Sequence, residues 1–466
     1  MTNQAPAITP VGKFGIPGRA VYGSRHLWVE GATLGSGQIA TVIGAIVGTR
    51  FLTGLLAPAV YGDLALALTV AALLSLVGSG PIGNAVGRFY AVAHERGTLR
   101  CFFRAAAVLY GQYHLGACLL ALVALVIFRG QEALAAWTSV GLAVIALSLV
   151  NGAGGLLDAM QNAARQRLVV AWHQAAGQWL RLVGAIVCIR WAGATVTSAL
   201  FGYVGASLLV LGSQFLFFHL RLRSLAAAEP NPRKAPMRLM TMEMRSYANP
   251  FVAFAAIAWL QQASDRWCLA LFGSRMDVGL YQTLNQVGYS PLMQLSGLIS
   301  LVVAPILFFQ VGDGTDVGRV HRARGRVRQL SWLMFVGTLF FAGLLWLFGK
   351  PLFALVVAPE YRSAACYLPL AALAGGLFAT GQMLTTDALL QMNSKALIAP
   401  KIGSASLAVA LNYAGARAFG LPGVVWAGVA TSSVYAFWMF LLVGRGNSPA
   451  VKWLLLTCLA VRQPVS

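Results

Sequence analysis

The sequence predicts an all-α polytopic membrane protein with about twelve transmembrane helices in two halves of six. Three observations predict it. Hydrophobic residues make up 58% of the chain and charged residues 10%, where a soluble domain carries roughly 25% charged. Apolar runs of membrane length recur throughout, and about 20 apolar residues cross the hydrocarbon as helix. Landmarks of the first half also return, in order, in the second.

Apolar runs bounded by charge, glycine or proline place the spans near 33–55, 61–84, 105–128, 134–157, 168–190, 195–218, 247–271, 278–309, 330–349, 364–389, 397–418 and 421–443. The eighth is long for one crossing and holds Pro291 and Pro305, so a kink or tilt is expected there. The first 30 residues contain Pro6, Pro10 and Pro17 but no apolar stretch. They read as a cytoplasmic segment without a cleavable signal, which leaves insertion to the first span. The expected organisation is 1–30 cytoplasmic, 31–220 first bundle, 221–246 cytoplasmic linker, 247–443 second bundle and 444–466 cytoplasmic tail. Within the tail, Val451–Val461 is too short to span and is expected to lie along the interface.

Charge sets the orientation. Lys and Arg number 34 against 13 acids, a net +21, yet no soluble basic domain exists to hold nucleic acid, which is excluded as a partner. With both termini in the cytoplasm, the cytoplasmic segments hold 25 of the basic residues and the opposite loops six, the asymmetry that orients inner-membrane proteins. The run RVHRARGRVR (319–328) alternates its arginines at 322, 324, 326 and 328. It reads as a loop held against anionic lipid headgroups, at about 1 kcal/mol per basic residue. The six cysteines show no paired spacing and no Cys/His cluster, so neither a disulfide framework, a metal site nor a cofactor is expected.

The internal repeat rests on two matches. Arg50 lies 12 residues before the glycine of Tyr61-Gly62, and Arg266 lies 13 before that of Val278-Gly279. Later, LLDAMQNAARQRL (156–168) aligns without gaps on TTDALLQMNSKAL (385–397), pairing Asp158 with Asp387. Both halves start on one side of the membrane, so the repeat is parallel, about an axis along the membrane normal.

Three arginines fall inside spans: Arg50, Arg181 and Arg266. Each costs about 2.5–3.5 kcal/mol at mid-bilayer, so such residues face protein or a watery cavity. Arg181 shares a helical face with Gln174 and Gln178; Gln262 pairs with Arg266 and Gln261 with Asp265 at i,i+4. On span eight Gln282, Asn285, Tyr289, Ser296 and Ser300 form one stripe at about 100° per residue. These stripes read as a shared hydrophilic interior, with interhelical glue as the alternative. Asp265 offsets part of the Arg266 charge, Asp63 reads as the N-cap of span two, and Asp158 and Asp387 sit toward cytoplasmic ends. The interior therefore leans cationic and suits an anionic substrate. His114 and His173 are candidate titrating groups, although an intramembrane histidine is more often a hydrogen-bonding residue. No paired-carboxylate motif, phosphate-cradling glycine loop, HExxH or GxSxG is present, and Glu132, Glu360 and Asp277 read as solvated loop acids. The chain is expected to be no enzyme and to hydrolyse no nucleotide.

Four segments carry a resemblance: RFLTGLLAPAVYGDLALALTVAALLSLVGSGPIGNAVGRF (50–89), WLQQASDRWCLALFGSRMDVGLY (259–281), FGKPLFALVVAPEYRSAACYLPLAALAGG (348–376) and ALNYAGARAFGLPGVVWAGVATSSVYAF (410–437). In this order they resemble the landmarks of bacterial Wzx-type polysaccharide flippases of the multidrug/oligosaccharidyl-lipid/polysaccharide exporter superfamily. The resemblance implies two six-helix bundles around a central cavity in the bacterial inner membrane, open to each face in turn. It implies a polyprenyl-pyrophosphate-linked glycan as cargo and other polysaccharide-assembly membrane proteins as candidate partners. The family's cationic cavity maps onto Arg50 and Arg266 first and Arg181 next, with Asp265, Gln262, Gln282, Asn285, Gln174 and Gln178 as polar lining. The rivals are a drug antiporter of the same superfamily, a membrane glycosyltransferase or polymerase, and a structural membrane subunit.

Overall fold

In hydrocarbon every backbone amide must find its partner within its own segment, which leaves helices as the economical way to cross. The computed structural model describes residues 24–128, 138–227, 237–311, 316–391 and 394–444, and all regular structure among them is helical. Most of the N-terminal segment, the centre of the linker (228–236), Glu132 and the tail with Val451–Val461 lie outside the described residues. The first half comprises α1 (Ser24–Leu55), α2 (Pro58–Glu95), α3 (Leu99–Phe128), α4 (Thr138–Ala163), α5 (Arg167–Ala192) and α6 (Val196–Ala227). The second comprises α7 (Met237–Phe272), α8 (Arg275–Leu284) running through a π turn (Asn285–Tyr289) into α9 (Ser290–Val311), α10 (Val317–Val356), α11 (Leu368–Leu390), α12 (Ile398–Phe419) and α13 (Leu421–Gly444).

Among the described residues nine spans are long and apolar enough to cross a membrane. The remaining three, α5, α7 and α12, are long enough but less apolar, because they carry the inward polar residues: Arg181 and its glutamines, Asp265 and Arg266, and Asn412. The chain is a multi-pass membrane protein.

Several helices outrun the apolar runs. Span two was expected at 61–84 and span nine at 330–349; α2 continues to Glu95 and α10 begins at Val317. Hydropathy marks where hydrocarbon ends, and the helix continues past that point. The basic run at 319–328 is thus helix, not loop. Its alternating arginines resolve into two i,i+4 pairs about 200° apart on the helical wheel. Arg324 and Arg328 turn inward, both donating to the Val443 carbonyl at 3.1 and 3.0 Å, and Arg324 pairs with fully buried Asp387 at 2.9 Å. Arg322 and Arg326 stay exposed. Asp316 caps the helix; the Arg319 backbone N–H holds its carboxyl below the usual range. That contribution is present above the unfolded carboxylate pKa and is lost as pH falls through the lowered one.

Two other acids differ from expectation. Asp63 does not cap α2, which starts earlier with Pro58 in its first turn; it pairs instead with Arg275 of α8 at 3.4 Å. Asp277 is no solvated loop acid: with Ser274 it forms a capping box on α8.

The interruption expected in span eight is a π turn. Pro291 has no N–H to give the Val287 carbonyl, and the turn before it slips so that Ser290 N–H reaches the Asn285 carbonyl, five residues back. The slip rotates everything that follows. Gln282, Asn285 and Tyr289 keep their interior positions, but Ser296 is carried to α11, where it donates to the Ala379 carbonyl at 3.2 Å. The single stripe read across span eight therefore ends at the π turn.

Both halves pack by one plan: first span on fifth, fifth on sixth, fourth on sixth, and second on fourth. In each, the last two spans cross at a pair of glycines, Gly184 with Gly202 and Gly415 with Gly423. A β-carbon on any of these would fall 2.6 Å or less from the opposite backbone. Positive-φ glycines, Gly193 and Gly420, end the helix before each of these turns. The repeat landmarks themselves meet. Gly62 and Gly279 lie back to back, and a β-carbon on Gly279 would sit 2.0 Å from the Pro58 carbonyl oxygen. The two halves are thus joined at a small-residue contact on the pseudo-twofold axis.

Candidate functional site

Two cavities flank α8, with Tyr281 on the larger and Gln282 on the smaller. The larger, about 930 Å³, is bounded mainly by second-half helices with Leu76, Gly80 and Asn84 of α2 on its far wall. It takes in Asp265, Arg266, Gln262 and Asn285, and reaches Ile398 and Lys401 at the start of α12. The smaller, about 210 Å³, is bounded mainly by first-half helices and takes in Arg181, Gln178, Asn151 and Tyr203, with Gln282 of α8.

Arg181 occupies the middle of α5. Its Nε donates to Ser207 Oγ and its Nη2 to Asn151 Oδ1, both at 2.9 Å. Both partners are neutral, and among the described residues no carboxylate lies within 4 Å. The guanidinium is therefore positioned by neutral groups, with Nη1 given no acceptor among the described residues and with Asp158 acting on it only from beyond contact distance. A fixed positive charge in low dielectric is a strong anion attractor.

Arg266 is held differently. Its Nε donates to Gln282 Oε1 at 2.7 Å and its Nη1 to the Gln262 carbonyl at 2.8 Å, and Asp265 lies 3.3 Å away. Gln282 is thus engaged from the large cavity while bordering the small one. Gln174 borders neither; it donates to Asp158 Oδ2 at 3.0 Å, beside the Gln214 bond to Oδ1 at 2.6 Å.

Arg50 also lines neither cavity, although its sequence position matches Arg266. Its Nη1 donates to the Val357 carbonyl at 2.7 Å, where α10 has just ended and the carbonyl lacks a helical partner. Thr53 Oγ1 accepts from Ala358 N–H at 3.2 Å, and Tyr361 O–H donates to the Leu56 carbonyl at 2.8 Å. Tyr61 meets the Tyr361 ring edge-on at 5.9 Å. These contacts strap the end of α1 to the segment after α10, at the opposite end of α11 from Ile398 and Lys401, which the large cavity reaches. Arg50→Gln is expected to loosen the strap. In that background a cysteine at Gln178 should react several-fold faster with an impermeant thiol reagent added from the strapped face, as one charge-assisted bond shifts an equilibrium by about tenfold at most when exposed.

Neither candidate histidine lines either cavity. His114 is buried between Gly78 of α2 and Gly152 of α4, and His173 bonds the Val169 carbonyl and Ser213. Sequence reasoning missed Asn412, Thr431, Gln382 and Tyr435, all in the large cavity. The signal was present: Ser404, Ala408 and Asn412 are spaced by four, and Gly428, Thr431, Ser432 and Tyr435 follow an i, i+3, i+4, i+7 face.

Comparisons agree with this architecture. Among solved structures, lipid II flippase MurJ in an inward closed conformation superposes with a TM-score of 0.63 at 11% identity, covering 90% of this chain and 88% of that one. A mutant of the Vibrio cholerae MATE transporter VcmN gives 0.63 at 12%, covering 91% and 98%. An inward-facing multidrug resistance MATE family transporter of the MOP superfamily gives 0.61 at 14%, covering 91% and 99%. These likenesses establish the fold. No curated protein matches by sequence. The family model described as polysaccharide biosynthesis protein matches residues 27–309, more than half of the chain and a range that holds two of the four segments singled out above, 50–89 and 259–281. The chain belongs to the polysaccharide biosynthesis protein family.

Proposed function

We propose that this protein is a flippase that carries polyprenyl-pyrophosphate-linked oligosaccharide repeat units across the bacterial inner membrane for surface polysaccharide synthesis. The carrying observation is Arg181: a guanidinium held by neutral groups, with no carboxylate in contact, facing a cavity beside a much larger amide- and aromatic-lined one, in a chain of this family. A pyrophosphate supplies the contacting anion Arg181 lacks, through charge-assisted and often bidentate bonds. Of the three interior arginines it is the main anion ligand. Arg266 orders the wall between the cavities, and Arg50 secures the strap. Sugars occupy the large cavity and the lipid tail remains in the bilayer. Transport proceeds by alternating access, with the strapped face opening as the other closes, and without nucleotide hydrolysis by this chain. A cation-exporting antiporter would want an unpaired acid deep in the cavity; the acid there, Asp265, is paired with Arg266. The test is restoration of surface glycan in a flippase-null strain.

The reading includes an orientation, with both termini cytoplasmic and the strap outside. In a Cys-free background, Glu360→Cys, on the exposed segment after α10, should label from outside with an impermeant maleimide. Val317→Cys, 81% exposed at the start of α10, should label only after permeabilisation. The reverse pattern inverts the topology.

A further inference from the structure

We infer that the large cavity contains a subsite for uncharged sugar rings built on Asn412 and Thr431; this rests on the flippase reading and adds where the glycan is read and what charge it carries. The two residues lie on neighbouring helices, α12 and α13, and both line the cavity. Asn412 is 5% exposed; its amide Nδ2 is committed to Ser264 Oγ at 2.9 Å, and its Oδ1 has no partner. Thr431 is 6% exposed and its Oγ1 also has none. Membrane helices usually silence such hydroxyls by bonding them back to the carbonyl four residues earlier. Thr338, Thr380 and Ser433 do so here at 2.7 to 2.8 Å; Thr431 does not. A buried polar atom left unsatisfied costs about 1–3 kcal/mol, and two in one cavity indicate partners that arrive with a ligand.

The chemistry of those partners follows from the donor set. An amide oxygen only accepts, so its partner must bring an O–H or N–H; carboxylate and phosphate oxygens would be repelled. Thr431 can give and take one bond, as a sugar hydroxyl can. Nearby, Tyr435 donates to Gln382 Oε1 at 3.2 Å and stacks on Phe378 at 4.8 Å; Tyr435 is itself buried, so the half-buried Phe378 supplies the apolar ring surface beside the amide groups. That combination matches a pyranose, with hydroxyls at its rim and C–H bonds on its faces. Arg266 is paired with Asp265, which leaves Lys401, at the start of α12, as the net charge on the same lining. The subsite itself is built from neutral groups, and anion recognition is assigned to Arg181 in the first half.

Binding to the full chain in lipid nanodiscs tests this. The probes are maltotriose, raffinose and N-acetylchitotriose as neutral trisaccharides, trigalacturonate as an anionic one, and inorganic pyrophosphate for the Arg181 cavity. At least one neutral trisaccharide should bind, and trigalacturonate about tenfold more weakly. Thr431→Val, which keeps shape, and Asn412→Leu should each weaken the neutral sugar about fivefold, with pyrophosphate affinity unchanged. Binding by none of the neutral sugars, equal binding of trigalacturonate, or an unchanged sugar affinity in Thr431→Val would overturn the subsite. Pyrophosphate separates the two claims: if it binds and the sugars do not, only the subsite falls; if it fails as well, the flippase reading falls with it.

Discussion

Arg181→Gln is expected to cut glycan export by about 10- to 100-fold while leaving the amount of protein in the membrane unchanged. The activity loss follows from removing one charge-assisted contact to a pyrophosphate, worth about 1.5–3 kcal/mol. The protein should survive because the substitution also removes an intramembrane charge that costs about 2.5–3.5 kcal/mol to insert. Glutamine can still meet Ser207 and Asn151, the two neutral groups that hold the arginine. Arg181→Lys should fall between, since the charge remains but the planar fork that spans both partners is lost. Complementation in a flippase-null strain, with immunoblots of the membrane fraction, measures both quantities. Arg266→Gln should cost less activity, because Asp265 already neutralises much of what is removed.

Asp387→Ala should have the largest effect on stability. Asp387 is fully buried and Arg324 nearly so, at 11% side-chain exposure. Removing one member strands the other without compensation, at about 3–5 kcal/mol. Gln391 also loses its 2.7 Å contact. The pair ties α10 to α11, and the Arg324 and Arg328 bonds to the Val443 carbonyl add α13, so the ends of three helices loosen together. The double variant Arg324→Met, Asp387→Leu should recover most of the loss, because a buried ion pair and a packed apolar pair of similar volume are often close in free energy. Thermal unfolding of the detergent-purified variants reads the order: wild type and double variant high, single variant low.

The parts of this fold that the sequence made visible are those with a one-dimensional cause. Burial in hydrocarbon writes itself as apolar length, so the spans were readable. The repeat was readable because two glycines must meet at the axis: Tyr61-Gly62 and Val278-Gly279 stood out before their contact was known. What was hidden depends on where a neighbour sits. Arg50 and Arg266 match in sequence, yet one meets the stranded carbonyl of Val357 and the other a glutamine across a cavity. The stripe through Ser296 failed because a π turn adds a residue to the helical phase, and only Pro291 hinted at it. The basic run at 319–328 looked unlike a helix because its arginines alternate, whereas two faces were each taking every second one. The roles of Asn412 and Thr431 rest on bonds they do not make, which no residue pattern records.

The central claim is that this chain alone moves a pyrophosphate-linked glycan through the membrane by way of Arg181. The most direct measurement uses the purified protein in sealed vesicles containing a radiolabelled undecaprenyl-pyrophosphate oligosaccharide, with a pH or sodium gradient and no ATP, and follows protection of the glycan from an external glycosidase. Wild type should exchange the glycan between leaflets far faster than protein-free vesicles, and Arg181→Gln should be slower by about 10- to 100-fold. No exchange above protein-free vesicles, a strict need for ATP, or equal rates for wild type and Arg181→Gln would contradict it.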